Sequence, residues 1–341
     1  MKEKNERLYG FDNLKFLLIF LVVLGHFLEF CVPFRGSELL RRLIYCFHMP
    51  AFLFLTGYFA KFRPKKIVFA FGITYLLFQV LYRLFDYFVL GGETILLQFS
   101  FPDWLLWYLF TVMLYYLLIP LIDVKKLWQK IVIVVLCVAA ALLAGEDPYL
   151  GYGLSASRTA AFLPFFVLGF YCGKHKGVPM AKEKPVIRIL VGLVLTVAVI
   201  GVCCYLRTHE NLTVYTMYGS MTYEKAHYTA LDRAYLMLFA LIWIAFLLCA
   251  VLPLLNRKLP VISDLGRNSF AVYLLHGFIV KAVTYFAWPV KLDCLPLVLA
   301  ATVLTVLLCG NPLTAWVFRN FLTGERLGNL LTKPKPAVTE E

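Results

Sequence analysis

Residues 14–29 of the chain read LKFLLIFLVVLGHFLE, an apolar run that contains one histidine, His26, and a carboxylate three residues later, Glu29. Ionisable groups inside a membrane span are costly and usually face a protein interior or water. The residues that share one helical sector of about 100° are Asp12, Lys15, His26 and Glu29. One stripe of this helix is therefore polar, which indicates a lined cavity.

Similar apolar runs recur along the rest of the chain. Of its 341 residues, 61% are hydrophobic and 16% charged, and the mean hydropathy is +0.78. Runs of this length can cross a bilayer, and in lipid they must be helical. The sequence therefore predicts an all-α, polytopic membrane protein with about ten transmembrane helices, at residues 14–33, 40–60, 67–90, 104–122, 128–144, 159–173, 186–206, 232–255, 268–289 and 294–319.

The distribution of charge gives the orientation. Two thirds of the 33 Lys and Arg residues fall in the loops and tails on the side of the N-terminus. By the positive-inside rule, we expect both termini in the cytoplasm: an N-terminal segment 1–13, a membrane domain 14–319 and a tail 320–341. The net charge of +13 is then explained by the orientation of the chain in a lipid bilayer, and no nucleic-acid partner is expected. We expect this bilayer to be the cell (plasma or inner) membrane. Nothing in the pattern indicates an oligomeric state.

The first helix holds the best acid–base candidate. At spacing i,i+3 the side chains of His26 and Glu29 can meet, and a carboxylate can orient an imidazole so that its other nitrogen acts as a base. His26 lies roughly 18 Å into a core about 30 Å thick, and His48 reaches a similar depth on the returning helix. The alternative for His26 is a buried histidine satisfied by hydrogen bonds between helices.

Further polar residues lie within or near the predicted spans. His48 either faces the same pocket as His26 or satisfies the bend expected at Pro50. Arg83 and Asp86, also at spacing i,i+3, are expected to form an ion pair, although Arg83 could instead contact a substrate. His276 is predicted on one helical face with Ser269 and Tyr273. Together with His48 and Arg83, these three residues are the candidates for contact with a substrate; the Tyr273 hydroxyl or backbone amides near Pro50 could stabilise an oxyanion.

Aromatic and cysteine residues are interpreted more simply. Trp104, Trp107 and Tyr108 lie where an interfacial aromatic belt is expected. The tyrosine-rich external segment 207–231 is also interpreted as interfacial, with a cavity cap as the alternative. The nine cysteines lack metal-type spacing, so no metal is expected.

The basic cluster at residues 61–66, KFRPKK, has two interpretations. Topology alone requires positive charge at this position. Arg63 and Lys66 could also bind a phosphate-rich ligand, because arginine forks and lysine charges suit phosphate oxygens.

Six motifs occur in order along the chain: Arg7 with Phe11 to Lys15, Gly25 with His26, Phe47 to Pro50, Thr56 to Phe59, Trp104 to Leu109, and Gly266 to His276. Together they resemble the acyltransferase-3 family of bacterial membrane enzymes, in particular its fucose 4-O-acetylase-like members. The resemblance covers about residues 7–315, nearly the whole chain.

The resemblance implies ten spans and transfer of an acyl group, usually acetyl from acetyl-CoA, to a hydroxyl of a surface or exported carbohydrate. It gives His26 the essential role. Asp12 and Lys15 match the aspartate and the basic residue that precede this histidine. Arg63 and Lys66 match a basic pair that is often Arg-x-x-Arg, and the lysine departs from it.

On this interpretation His26, oriented by Glu29, takes the proton of the acceptor hydroxyl, while Asp12, Lys15, Arg63 and Lys66 serve the acetyl-CoA side. A route through an acyl-histidine is the alternative, because histidine can be a nucleophile. Two other functions remain open. One is a secondary transporter of an amino acid or glycan precursor that uses the same cavity, and the other is a scaffold whose polar stripe only packs helices.

Overall fold

The computed structural model describes residues 8–151, 153–174, 183–286, 292–324 and 326, and within them the chain is helical without strands. The helices are α1 Tyr9–Phe30, α2 Ser37–Tyr58, α3 Thr74–Phe88, α4 Trp107–Ile122, α5 Leu127–Leu143, α6 Ala156–Gly173, α7 Pro185–Thr208, α8 Val214–Met217, α9 Tyr223–Ala226, α10 Ala230–Phe246, α11 Leu252–Leu254, α12 Ile262–Arg267, α13 Ser269–Phe286, α14 Leu295–Gly310 and α15 Pro312–Phe321. π-Helical turns at Lys66–Ile73 and Leu247–Val251 extend α3 and α10, and short 3₁₀ turns, Trp104–Leu106 and Gly153–Ser155, precede α4 and α6.

The polytopic all-α class predicted from the sequence is confirmed. Within the described residues, eight continuous helical segments are long and apolar enough to cross a membrane, or nine if a bent pair is counted as one span. The predicted segment 128–144 forms a shorter apolar helix of 17 residues, α5. The predicted segment 159–173 is longer than expected, since its helical region begins at Gly153 and continues through Pro164.

The last predicted span is broken, which corrects the expectation of one continuous helix over 294–319. α14 and α15 meet at an angle of 54°. The break follows from Asn311 and Pro312: the Asn311 side chain accepts a hydrogen bond from the Thr314 N–H and caps α15, and Pro312 has no N–H to continue α14.

The predicted terminal segments are only partly described. α1 begins at Tyr9, so residues 9–13 of the segment 1–13 form its first turns. Residues 1–7 and most of the tail 320–341 lie outside the described residues.

Close helix packing fixes the centre of the bundle. A Cβ on Gly169 of α6 would lie 2.0 Å from the Phe54 carbonyl oxygen of α2, and one on Gly57 of α2 would lie 2.1 Å from the Phe166 carbonyl oxygen. Only glycine permits this approach, as is typical where membrane helices cross closely.

α1 is the central helix, because it contacts α2, α11, α12, α13 and α14. We call the end of the bundle near Tyr9 the inner end and the end near Phe30 the outer end, following the predicted orientation. This frame places His26 in the outer half of α1, surrounded by the other helices.

Candidate active site

The structure brings the two groups of the proposed acid–base pair into contact. His26 Nδ1 lies 3.3 Å from Glu29 Oε2, as the i,i+3 spacing predicts. The His26 side chain is 14% exposed and the Glu29 side chain 23%. Both side chains are therefore mostly enclosed by protein, and a part of each remains accessible to solvent or a ligand.

Glu29 accepts hydrogen bonds from two other helical elements. The Tyr45 hydroxyl of α2 donates to Glu29 Oε2 at 3.0 Å, and the Tyr218 hydroxyl, just after α8, donates to Oε1 at 2.6 Å. Burial and the charge of Glu29 raise the pKa of Tyr218, so its hydroxyl keeps the proton that it donates. With Glu29 as the shared acceptor, the hydrogen bond assigns the neutral His26 tautomer that donates from Nδ1 and has its lone pair on Nε2.

His26 separates two cavities. The outer cavity, of about 560 Å³, lies toward the outer end of α1, and the inner cavity, of about 530 Å³, lies toward its inner end. The outer cavity is lined by His26, Glu29, Tyr45, His48, Met49, Trp104, Leu105, Trp107, Arg158, Phe162, Met217 and Tyr218. The inner cavity is lined by Ile19, Val22, His26, Met49, Phe52, Leu105, Trp107, Tyr108, Ser269, Phe270 and Tyr273.

The outer cavity combines charged groups with aromatic walls. The Arg158 guanidinium carbon lies 5.1 Å from the centre of the Trp107 ring and 5.8 Å from that of Tyr218. Trp104 packs edge-on against His26, with ring centres 4.8 Å apart. Aromatic faces beside groups that form hydrogen bonds suit a polar ring-shaped ligand such as a sugar.

His48 lines this outer cavity, as expected from its depth. Its Nδ1 bonds the Ile44 carbonyl oxygen at 2.7 Å, so Nε2 is the nitrogen left for a ligand. The alternative role at the Pro50 bend is not seen, because the carbonyl that Pro50 leaves without a helical partner is that of Cys46.

The inner cavity is largely apolar and contains Ser269 and Tyr273. The Tyr273 hydroxyl donates to the Leu105 carbonyl oxygen at 2.6 Å and accepts from the Leu109 N–H at 3.2 Å. Because the single hydroxyl proton is used in the hydrogen bond to Leu105, Tyr273 cannot donate to an oxyanion in this arrangement. Its role is to join α13 to the start of α4 and to form part of the cavity wall.

His276 lies behind His26 and lines neither cavity. Its ring stacks on that of His26 with centres 5.4 Å apart, and its Nδ1 bonds the Val272 carbonyl oxygen at 2.9 Å. It is fully buried, and its Nε2 has no hydrogen-bond partner among the described residues. His276 thus supports the His26 ring, and direct substrate contact, which the sequence suggested, would require a rearrangement.

The predicted ion pair between Arg83 and Asp86 is wrong. Lys281 Nζ of α13 donates to both carboxylate oxygens of Asp86 at 2.8 Å, and Arg83 Nε lies 2.9 Å from Asp103 Oδ2. Long-range packing brings these partners closer than the helical neighbour. Arg83 lies outside both cavity linings and helps to fix Asp103, which immediately precedes Trp104.

The expected acetyl-CoA residues lie at the inner end. Lys15 Nζ is 3.6 Å from Asp12 and 5.1 Å from the centre of the Phe59 ring, just after α2. Arg63 follows four residues later and is exposed, and Lys66 lies over the Phe71 and Tyr116 rings at 5.1 and 5.7 Å. Two of the basic groups therefore flank the end of α2.

Five site residues were missed or assigned elsewhere by the sequence. Trp104 and Trp107, interpreted as part of an interfacial belt, line the outer cavity, as does Arg158. Tyr218 belongs to the segment interpreted as interfacial, and the structure favours the cap alternative for this residue. Tyr45 had one weak signal, since it precedes His48 by three residues on the same helical face.

A polytopic helical bundle with an imidazole–carboxylate pair between two cavities is typical of a membrane enzyme. The sequence model of one family, described as an acyltransferase domain, matches residues 8–310. The chain therefore belongs to the acyltransferase-3 family and is a membrane acyltransferase. The comparison with curated proteins finds no match, and neither does the comparison with solved structures.

Proposed function

We propose that this protein is an O-acyltransferase of the cell (plasma or inner) membrane that moves an acetyl group from acetyl-CoA to a hydroxyl of a surface or exported carbohydrate, as in the fucose 4-O-acetylase-like branch. The observation that carries the proposal is the position of His26 between a polar, aromatic-walled cavity and an apolar one. The first suits a saccharide and the second suits a thioester arm.

The donor approaches from the inner end. Lys15, Arg63 and Lys66 bind the phosphates of acetyl-CoA, and Asp12 positions the Lys15 ammonium group. Lys15 precedes His26 by 11 residues, roughly 16 Å along the helix, so an extended pantetheine arm is needed to bring the thioester to the imidazole. The inner cavity, with Ser269 and Tyr273 in its wall, receives that arm.

The acceptor occupies the outer cavity. A sugar hydroxyl donates its proton to His26 Nε2 as its oxygen attacks the thioester carbon. A C–O bond forms, the C–S bond breaks, and the departing thiolate of CoA takes the proton from the imidazolium. Glu29 stabilises the charged imidazole during the transfer. A general base of this kind contributes about 10²- to 10⁴-fold to the rate.

The test is the release of CoA by the purified full-length protein when a cell-surface glycan fraction is added with acetyl-CoA. His26→Ala should leave no more than a few per cent of wild-type activity, and His209→Ala, a histidine hydrogen-bonded to the Tyr205 carbonyl away from the cavities, should remain active. Substantial activity in His26→Ala would end the assignment. Substrate flux into proteoliposomes without acetyl-CoA would favour a transporter instead.

The donor side has a separate test. Arg63→Ala and Lys66→Ala should each weaken acetyl-CoA binding measured by calorimetry, because each removes a cation that binds phosphate. Lys65→Ala, which alters an exposed cation between them, is the control. Wild-type affinity in both variants would exclude the phosphate role and leave the transfer reaction untouched.

A further inference from the structure

A groove separate from the two cavities runs between α7 and the end of α10, with a volume of about 1000 Å³. Its α7 wall is formed by Pro185, Arg188, Ile189, Gly192, Leu193 and Thr196. The facing wall runs from Phe246 to Leu254. The groove shares no residue with the site around His26, so it requires its own explanation.

Local structure explains why these helices leave a gap. The facing wall includes the π-helical turn Leu247–Val251, which is wider than an α-helical turn and is followed by Pro253. A Cβ on Gly192 would lie 3.8 Å from the Ala250 Cβ, which is ordinary van der Waals contact, so the two walls meet at these small residues. The groove therefore runs along the contact between the two helices.

The length of the groove matches one bilayer leaflet. Gly192 lies opposite Ala250, and the two walls run in opposite directions, so Arg188 lies near Leu254 and Thr196 near Phe246. The α7 wall from Arg188 to Thr196 is roughly 12 Å long. Half of a hydrocarbon core of about 30 Å is close to this value.

The charge lies at one end of the groove. Arg188 is partly buried although its neighbours Ile187 and Ile189 are 42% and 62% exposed, so its side chain turns toward the groove. Among the described residues no carboxylate lies within ion-pair distance of Arg188. Arg257 and Lys258 follow the Leu254 end of the other wall and are exposed.

We propose that this groove binds one anionic phospholipid, with an acyl chain lying along the groove formed by α7 and the π-helical turn and the headgroup phosphate on Arg188. A guanidinium forms paired hydrogen bonds with phosphate oxygens, and basic pockets between membrane helices suit anionic headgroups. The site is independent of acyl transfer. Residues 175–182, which precede α7, are a poor alternative occupant, because they include Lys176 and Lys182 and no carboxylate.

The experiment is native mass spectrometry of the full-length protein in mild detergent with equal amounts of palmitoyl-oleoyl phosphatidylglycerol and phosphatidylcholine. We expect the wild type to retain phosphatidylglycerol at least fivefold more than phosphatidylcholine. Arg188→Gln should abolish this preference, and Arg188→Lys should retain part of it. Arg207→Gln, which alters an exposed cation at the other end of α7, should behave like the wild type.

A second variant tests the apolar part. Gly192→Leu should fill the groove and reduce retention of both lipids while leaving Arg188 in place. Equal retention of the two lipids by the wild type, or an unchanged preference in Arg188→Gln, would overturn the proposal. Gel filtration of each variant verifies that it is folded, and the result does not depend on any acceptor or on acetyl-CoA.

Discussion

The two cavities around His26 differ in chemistry although they share one wall. The outer cavity contains Glu29, Arg158 and His48 among aromatic rings, whereas Ile19, Val22 and Phe52 dominate the inner one. The residues proposed to bind the phosphates of acetyl-CoA, Lys15, Arg63 and Lys66, do not line the inner cavity and lie at the inner end of the bundle. The difference supports the proposed division of substrates along α1, with the acceptor hydroxyl on the outer side and the apolar arm of the donor on the inner side.

The largest effect should come from Glu29, which orients the histidine that the two cavities share. Glu29→Gln replaces an acceptor of three hydrogen bonds with an amide that can also donate, so His26 loses its fixed tautomer. We expect kcat to fall about 10²- to 10³-fold, within the range of general-base effects. Both KM values should change by no more than about twofold, since the hydrogen bonds of Glu29 go to His26, Tyr45 and Tyr218 and the carboxylate acts on the transfer step through His26.

CoA release under saturating substrates measures this effect. Glu38→Gln, which removes an exposed carboxylate paired with Arg41 near the outer end, is the matched control. A kcat for Glu29→Gln within threefold of the wild type would show that His26 does not need the carboxylate.

The inner cavity can be tested by filling it. Val22 is buried one helical turn below His26, and Val22→Phe would occupy the space proposed for the thioester arm. The bound arm would then overpack the space that the new ring occupies. Overpacking costs about 2 kcal/mol, which corresponds to a KM for acetyl-CoA roughly 30-fold higher. The KM for the acceptor should remain unchanged.

The matched control is Val197→Phe, the same change at a lipid-facing position of α7 that is 69% exposed. If Val22→Phe raised the KM for the acceptor instead, the substrates would be assigned to the wrong cavities. Thermal unfolding of both variants separates a local effect from a general loss of stability.

The sequence could predict contacts within one helix better than contacts between helices. His26 and Glu29 were paired from spacing alone, because both lie on α1 and i,i+3 neighbours share a face. Tyr45 and Tyr218 reach the same carboxylate from other elements, which no local pattern specifies. The same limit explains the error at Arg83 and Asp86, whose closest partners come from outside α3.

Residue type also did not distinguish aromatic side chains at the membrane interface from those that line the cavities. Trp104 and Trp107 have the residue type and position of an interfacial belt. In the folded chain the Trp104 ring packs against His26, and Trp107 lines the same cavity. Trp104 has a φ of 31°, an unusual conformation for a bulky residue that local sequence does not reveal. The break at Asn311 and Pro312, in contrast, carried a visible capping and proline signal.

Tyr218 tests whether the external segment belongs to the outer cavity. Tyr218→Phe removes one of the three donors to Glu29 and keeps the ring that contacts Arg158. Loss of a hydrogen bond to a charged group costs about 1.5–3 kcal/mol, and with two donors left we expect the lower value, roughly a tenfold decrease in kcat. Tyr215→Phe, at an exposed neighbouring ring, should match the wild type. An unaltered kcat in Tyr218→Phe would show that the hydroxyl of Tyr218 does not act on Glu29 and would favour the purely interfacial interpretation of the segment.

The smallest effect is expected at His48, where a substitution should change the KM for the acyl acceptor and leave the KM for the acyl donor unchanged. His48→Phe keeps the ring shape and removes Nε2, the nitrogen left for a ligand in the outer cavity. A neutral hydrogen bond contributes about 1 kcal/mol, so the KM for the acceptor should rise roughly fivefold. The KM for acetyl-CoA, measured on the same variant, is the internal control and should not change. A rise in the acetyl-CoA value alone would show that the thioester reaches past His26 into the outer cavity, and the division of substrates along α1 would then be wrong.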